Sequence, residues 1–162
     1  MTGPNSWFWY ALLSAIFAAS TALFGKLGVE AIPSNMAVWV RILVILPLLS
    51  GLLALTGEWK NPLEMSTRTL WFLFLSGLST GLSWLFYYRA LQLGNASQVG
   101  PVDKLSVILV MIFATLFLHE KLSLKQWAGG ALILTGALII SSASAKAPPA
   151  DATTVGKTSA KP

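Results

Sequence analysis

Five long apolar runs constrain this chain more than any other feature. They extend from Trp7 to about Phe24, with helical continuation towards Val29, then from Met36 to Leu55 and from Leu70 to Leu91. The last two run from about Ser97 to Leu118 and from Leu124 to about Ser142. A helix needs roughly 20 residues to cross a hydrocarbon core of about 30 Å, and each run is close to that length. Continuous apolar character with little alternation argues against a membrane β-barrel. The 162 residues are 55% apolar and 10% charged, whereas a soluble domain carries about 25% charge. A chain of this size buries only about two-thirds of its surface on folding, so it cannot hide this apolar content from water. The expected fold class is all-α: a polytopic membrane protein built as a five-transmembrane-helix bundle.

The breaks between runs carry turn chemistry. Pro33 disfavours helix at Ile32, and Ser34 or Asn35 is placed to cap the second helix. The segment from Thr56 to Pro62 ends that helix, and Ser66 precedes the third as a cap. Gly94 to Ser97 joins the third and fourth, and Ser123 is placed to cap the fifth. Short connections make successive helices antiparallel neighbours. The expected organisation is a short N-terminal segment (1–6), a helical domain (7–142) and a disordered polar tail (143–162) rich in Ala, Pro, Thr, Ser and Lys. Met1 to Ser6 lacks Lys and Arg, which argues against a cleaved secretory leader. Trp7, Trp9, Trp39, Trp59, Trp71 and Trp127 lie near span ends, as an interfacial aromatic belt requires, whereas Trp84 lies deep in the third span.

The net charge of +5 is scattered, with no basic patch of the kind that binds nucleic acid. Lys60, Arg68, Lys121 and Lys125 fall on the N-terminal side of the spans. Lys26, Arg89 and the tail residues Lys146, Lys157 and Lys161 fall on the other. This is almost no bias; adding Arg41 and Lys104 favours a cytoplasmic C-terminus. Cys is absent, and the lone His119 cannot build a typical zinc site, so neither metal nor cofactor is expected. No Ser-His-acid arrangement and no P-loop is evident, which argues against an enzyme and against direct ATP-driven pumping.

Charges inside spans are costly and therefore candidate functional groups. Arg41 lies about one and a half turns into the second run, and Asp103 and Lys104 interrupt the fourth. Asp103 is too short to reach the headgroups and needs a partner or water. Arg41 and Asp103 either pair with each other, fixing helix register, or contact a solute directly. Lys26, Arg89 and Lys104 have stems long enough to snorkel, and Lys26 and Glu30 are spaced to share a helix face. Gly77, Thr80, Gly81, Trp84 and Tyr88 share a face of the third helix. Its small half suits close helix packing; Trp84 and Tyr88 suit either packing or stacking against an aromatic or cationic solute. Ser14, Ala18, Thr21, Gly25 and Gly28 in the first helix, and Gly129, Leu132 and Gly136 in the fifth, read as packing seams.

The order of motifs resembles one family. Tyr87-Tyr88-Arg89-Ala90-Leu91 followed by Gly94-Asn95-Ala96-Ser97 and Pro101 is similar to the third-to-fourth helix junction of EamA-type transporters. Leu118-His119-Glu120-Lys121-Leu122-Ser123 resembles their Leu-Gly-Glu-Lys/Arg-Leu-Ser/Thr element, and Gln126 to Gly136 looks like their last helix. Two departures stand out: His119 replaces the usual Gly, and Asp103-Lys104-Leu105-Ser106 occupies a place where many full-size members have an apolar segment with a further Pro. The resemblance implies the drug/metabolite transporter superfamily of secondary carriers in the inner membrane. It also implies that Glu120 is a structural loop residue.

Full-size members resemble two inverted five-helix units, and this chain has one. Alternating access usually rocks two repeats about a midplane site, so a second unit is expected. That unit is a second copy, antiparallel about an axis in the membrane plane, or a separately encoded half. The expected activity is movement of a small organic solute, with proton-coupled export. Asp103 is the proton-responsive group in this reading, Arg41 and Lys104 are candidates for a solute carboxylate, and Trp84 and Tyr88 line the cavity. The alternative is a non-transporting membrane subunit that anchors or stabilises a partner. The two differ in whether Arg41, Asp103 and Trp84 meet at an open cavity or are sealed in helix contacts.

Overall fold

A computed structural model describes residues 6–143. The expected N-terminal segment lies outside these residues except for Ser6, and the expected polar tail except for Ala143. Among the described residues six helices follow one another: α1 (Ser6–Gly28), α2 (Ser34–Thr56), α3 (Thr67–Leu93), α4 (Ala96–Asp103), α5 (Ser106–Phe117) and α6 (Leu124–Ser142). A short 3-10 turn, Pro62–Glu64, lies between α2 and α3. No strand occurs among the described residues. Five segments are long and apolar enough to cross a membrane, with Ala96–Phe117 counting as one. The fold is the expected all-α, five-span membrane bundle.

The fourth span corrects the expectation of a single continuous helix. It breaks between α4 and α5 at Lys104 and Leu105. Pro101 has no N–H for the helical ladder. The amides of Lys104 and Leu105 reach back three residues, to the carbonyls of Pro101 and Val102 at 3.1 and 3.0 Å. The amides of Val107 and Ile108 repeat this pattern with Lys104 and Leu105. These tight turns place Asp103 and Lys104 at a break inside the span.

Helix ends follow the expected chemistry in two of three cases. Ser66 Oγ accepts from the Thr69 amide at 3.1 Å. Ser123 Oγ accepts from the Gln126 amide, while Gln126 Oε1 accepts from the Ser123 amide at 2.7 Å, a reciprocal capping box. Neither Ser34 nor Asn35 caps α2. Pro33 holds the cap position without a side-chain bond, and Ser34 is already helical and buried. At the other end of α2, Gly57 adopts φ +68° and its amide bonds to Leu53 O; lacking a Cβ, glycine enters this left-handed region without steric cost.

Side chains knit α1, α2 and α3 together where α1 and α3 end and α2 begins. Val29 and Leu91 are fully buried there, packed with Ala37, Val38 and Tyr88. Lys26 does not share a helix face with Glu30, because α1 stops at Gly28. Its Nζ instead donates to Leu91 O at 2.9 Å, which sets a cation on the C-terminal carbonyls of α3. Gln92 Nε2 donates to Val29 O and Ile32 O, tying the α1–α2 loop to α3. On the far side of α3, Gln98 Nε2 donates to Ala143 O and joins the start of α4 to the end of α6. Most of the large apolar side chains elsewhere are exposed, from Trp7 to Ile140. In a bilayer these face hydrocarbon, so close packing and hydrogen bonds, rather than burial from water, hold the helices together.

The glycine seams are only partly where the pattern put them. In α1, Gly25 is buried against Tyr88 and Leu91, whereas Gly28 has no neighbour within 4 Å of where a Cβ would lie. In α6 the packed face carries Gly130 and Ala137, with Gly130 closed by Met111 and Ile108 of α5. Gly129 and Gly136 have open space beside them and Leu132 is exposed, so the expected α6 seam is rotated by about one residue, roughly 100°.

Candidate functional site

α2 starts at the end of the bundle where α3 finishes, which sets Arg41 about 10 Å along its span. Its guanidinium carbon lies 4.2 Å from the centre of the Trp84 ring and 5.4 Å from that of Tyr88. Nη1 donates to Tyr88 Oη at 3.2 Å. Trp84 and Tyr88 are one helical turn apart, so one face of α3 offers both rings to the same cation. Tyr88 is held from behind by α1: a Cβ on Gly25 would lie 3.2 Å from Tyr88 Oη and 3.3 Å from its Cζ. Gly25 is therefore where α1 lets the phenol seat. Tyr88 is buried and Arg41 half-buried.

Among the described residues no carboxylate reaches Arg41; the one ion pair joins Lys104 to Asp103 at 3.3 Å. An unpaired arginine deep in a span costs about 2.5–3.5 kcal/mol on insertion scales. A desolvated cation–π contact returns about 2 kcal/mol, and one hydrogen bond to a neutral group about 1 kcal/mol. The aromatic seat thus makes the lone cation tolerable without an anion.

A groove of about 460 Å³ opens beside this cluster between α1 and α2, with Thr21, Phe24, Gly25, Val40, Arg41 and Tyr88 among its lining residues. Ile32 forms part of its wall and also of a larger cavity of about 750 Å³ at the bundle end, which Glu30, Ser34, Asn35 and Arg89 line. Arg89 itself bonds to Gln92 Oε1 at 2.7 Å. Arg41 therefore faces open space on the membrane side and lies near a polar vestibule.

Asp103 and Lys104 lie elsewhere. Asp103 is about 10 Å along α4 from Ala96, a depth like that of Arg41. It lines a separate cavity of about 480 Å³ on another side of α3, with Tyr87, Phe86, Gln98 and Ser141. The expected pairing of Arg41 with Asp103 is not formed. Tyr88 meets Arg41 and its neighbour Tyr87 shares the cavity of Asp103, because successive side chains diverge by about 100° around a helix. Lys104 points outward and exposed, its ammonium on Asp103 alone. Gly77 and Gly81, the small half of the α3 stripe, meet nothing within 4 Å.

Sequence reasoning missed the groove lining from α1 and the tie made by Gln92. The groove had a signal in the small residues of α1; Gln92 had none beyond being polar near a helix end.

A helical membrane protein with a cation and aromatic rings at an open groove within the bilayer fits the class of multi-pass transporters. The chain belongs to the EamA-like transporter family, which matches over residues 5–142, and with it to the drug/metabolite transporter superfamily. It is 53% identical over 136 residues to an uncharacterized transporter in the cobO 3′ region of Sinorhizobium sp., covering 84% of this chain and 96% of that one. It is 30% identical over 130 residues to an uncharacterized protein of Methanocaldococcus jannaschii, covering 80% and 92%. It is 34% identical over 84 residues to a probable 4-amino-4-deoxy-L-arabinose-phosphoundecaprenol flippase subunit of Yersinia pestis, covering 51% and 74%. No solved structure matches.

The family motif explains one local departure. His119 sits at φ +55°, the left-handed region that glycine enters freely. A Gly before the Glu, as in the motif this loop resembles, would take that backbone without a steric cost. Here a histidine occupies it at a steric cost.

Proposed function

We propose that this chain is one half of a secondary transporter that moves a small organic solute across the inner membrane. The observation that carries this reading is the aromatic seat of Arg41 beside an open groove inside the span. Arg41 makes helix contacts with α3 on one side and lines open space on the other, and no carboxylate among the described residues seals it. Alternating access needs a second unit opposite this one. A second copy, inserted antiparallel, is the simplest source, and the near-balanced charge of the loops supports insertion both ways. The open faces at Gly77, Gly81, Gly129 and Gly136 are available for close helix contact with it.

Asp103 is the coupling group in this reading. It sits at the break in the fourth span, where the helical ladder is already interrupted, and it lines its own cavity. Solute and proton thus occupy different sides of α3. Exchange of solute for protons requires the two to be linked through that helix.

The experiment is reconstitution of the purified chain into liposomes carrying a pH gradient, with a screen of labelled organic solutes. Flux driven by the gradient, and lost as proton-driven flux in Asp103→Asn, supports the reading. Gradient-driven flux that is unchanged in Asp103→Asn removes Asp103 from this role. A C-terminal tag probed from both sides decides the assembly: a single uniform orientation contradicts the antiparallel homodimer and leaves a separately encoded half. The flippase subunit among the relatives favours the second possibility. The same name lends weight to a second reading, in which this chain stabilises a partner and transports nothing itself; absence of flux alone together with recovery of a partner that transports would establish it.

A further inference from the structure

Arg41 has a seat but no counter-ion. Among the described residues, the one oxygen it donates to is the neutral phenol of Tyr88, and Asp103 is engaged by Lys104 instead. A guanidinium carries five N–H donors in a planar fork that matches carboxylate and phosphate oxygens. Contact with the Trp84 ring holds the guanidinium in place, and donation to Tyr88 uses one arm of the fork. The charge is thereby held and not neutralised, an arrangement suited to an incoming anion.

The surroundings restrict which anion. The lining of the groove includes the apolar Phe24, Val40 and Val44 beside the polar Thr21, and those three apolar side chains are exposed on the outside of the bundle. Val44 lies one turn deeper than Arg41 along α2, towards the middle of the span. A small, strongly hydrated anion would lose its water here against hydrocarbon walls and gain a single cation. A solute with an apolar part would keep that part against Phe24, Val40 and Val44 while its head meets Arg41. A cationic solute would meet like charge.

The geometry points to an anionic amphiphile as the ligand of the α1–α2 groove: a phosphate or carboxylate head on Arg41 and an apolar body along Phe24, Val40 and Val44. This rests on the transport reading and names its substrate class. Phosphate and carboxylate heads share the oxyanion chemistry that the fork recognises, whether the molecule comes from the bilayer or from solution.

The full-length protein in nanodiscs of phosphatidylcholine, an overall neutral lipid, tests this. Binding of radiolabelled dodecyl phosphate is measured and challenged with dodecanoate, inorganic phosphate or dodecyltrimethylammonium. The expected result is saturable binding displaced by dodecanoate and not by the other two. Arg41→Gln weakens it by about tenfold or more, and Arg41→Lys, which keeps the charge without the fork, weakens it less. Both variants are read only after each elutes as the wild type does on size exclusion. No saturable binding, equal binding in Arg41→Gln, or displacement by dodecyltrimethylammonium overturns the assignment. Displacement by inorganic phosphate at the same concentration as dodecanoate overturns the amphiphile and leaves a plain anion site. The outcome is separable from transport itself. Liposome flux of some other solute without dodecyl phosphate binding sinks the substrate class and spares the transporter; binding without flux of any solute does the reverse.

Discussion

The Arg41 guanidinium rests 4.2 Å above the Trp84 ring, and its Nη1 reaches Tyr88 Oη at 3.2 Å. One cation is thus held by two aromatic residues a turn apart on α3, across a helix contact that also carries the buried core. In the proposed reading the contact joins fold and function. It fixes α2 against α3, and it presents a charge to the groove between α1 and α2. The two roles can be separated by substitutions that leave the charge and alter the seat.

Tyr88→Phe keeps the ring and removes the hydroxyl that accepts from Arg41. A hydrogen bond of this kind is worth about 1 kcal/mol, so solute affinity falls about fivefold or less. Trp84→Ala removes the stack and a large packed side chain together, and lowers affinity further while also destabilising the α2–α3 contact. Solute titrations paired with melting curves in detergent separate the two effects: Tyr88→Phe moves the first much more than the second.

Gly25 is where α1 meets the Tyr88 phenol. A Cβ there would lie 3.2 Å from Oη and 3.3 Å from Leu91 Cδ1, so Gly25→Leu must displace one of two buried side chains. Overpacking of this kind costs about 1–3 kcal/mol. Thermal unfolding in detergent is expected to shift downward, and solute binding to fall with it because Tyr88 leaves its seat. Gly28→Ala serves as the control. Nothing lies within 4 Å of its Cβ position, and its melting temperature stays close to that of the wild type.

His119 occupies a left-handed backbone at φ +55°. The steric cost for a residue with a Cβ is about 1–2 kcal/mol, offset in part by the greater freedom glycine has in the unfolded chain. His119→Gly is therefore expected to stabilise the protein by up to about 1 kcal/mol. Equilibrium unfolding in mixed micelles is the readout, and a loss of stability would show that the imidazole makes a contact outweighing the strain.

The capping box of α6 gives a prediction of the opposite sign. Ser123 Oγ and Gln126 Oε1 satisfy each other's backbone amides, with 2.7 Å from Ser123 N to Gln126 Oε1. Ser123→Ala removes the cap at a cost of about 1 kcal/mol, and Ser123→Asp retains it. Amide hydrogen exchange at residues 124–127 should rise in the alanine variant and not in the aspartate variant.

Position along each helix was legible in the sequence; rotation about it was not. The five spans follow from run length, and the caps at Ser66 and Ser123 from residue type and place. Trp84 and Tyr88 were recognisable as a pair because i and i+4 share a face whatever the neighbour. Which neighbour they meet depends on how α3 turns in the bundle. Arg41 and Asp103 sit at similar depths, so pairing them was reasonable from spacing. Tyr87 and Tyr88 lie on different sides of the helix between them, and each charge goes to its own cavity. The same ambiguity made Gly129 rather than Gly130 the expected seam of α6. With little polar character to mark an outside, a membrane helix has no strong moment to orient it. The break at Lys104 had a signal in Pro101 and two consecutive charges, but an apolar run that resumes at once reads as one span. His119 is the reverse case: the family motif marked the position, and the backbone angle supplies the reason.

Flux through Arg41 tests the central claim most directly. Uptake into proteoliposomes of a solute found by the screen is measured side by side for wild type and Arg41→Gln, at equal amounts of protein that elutes normally on size exclusion. The transporter reading predicts uptake lowered by about tenfold or more in Arg41→Gln, because an interaction made by a charged group in a desolvated site is lost. Equal uptake by the two proteins would contradict it and return Arg41 to the role of a packing residue between α2 and α3.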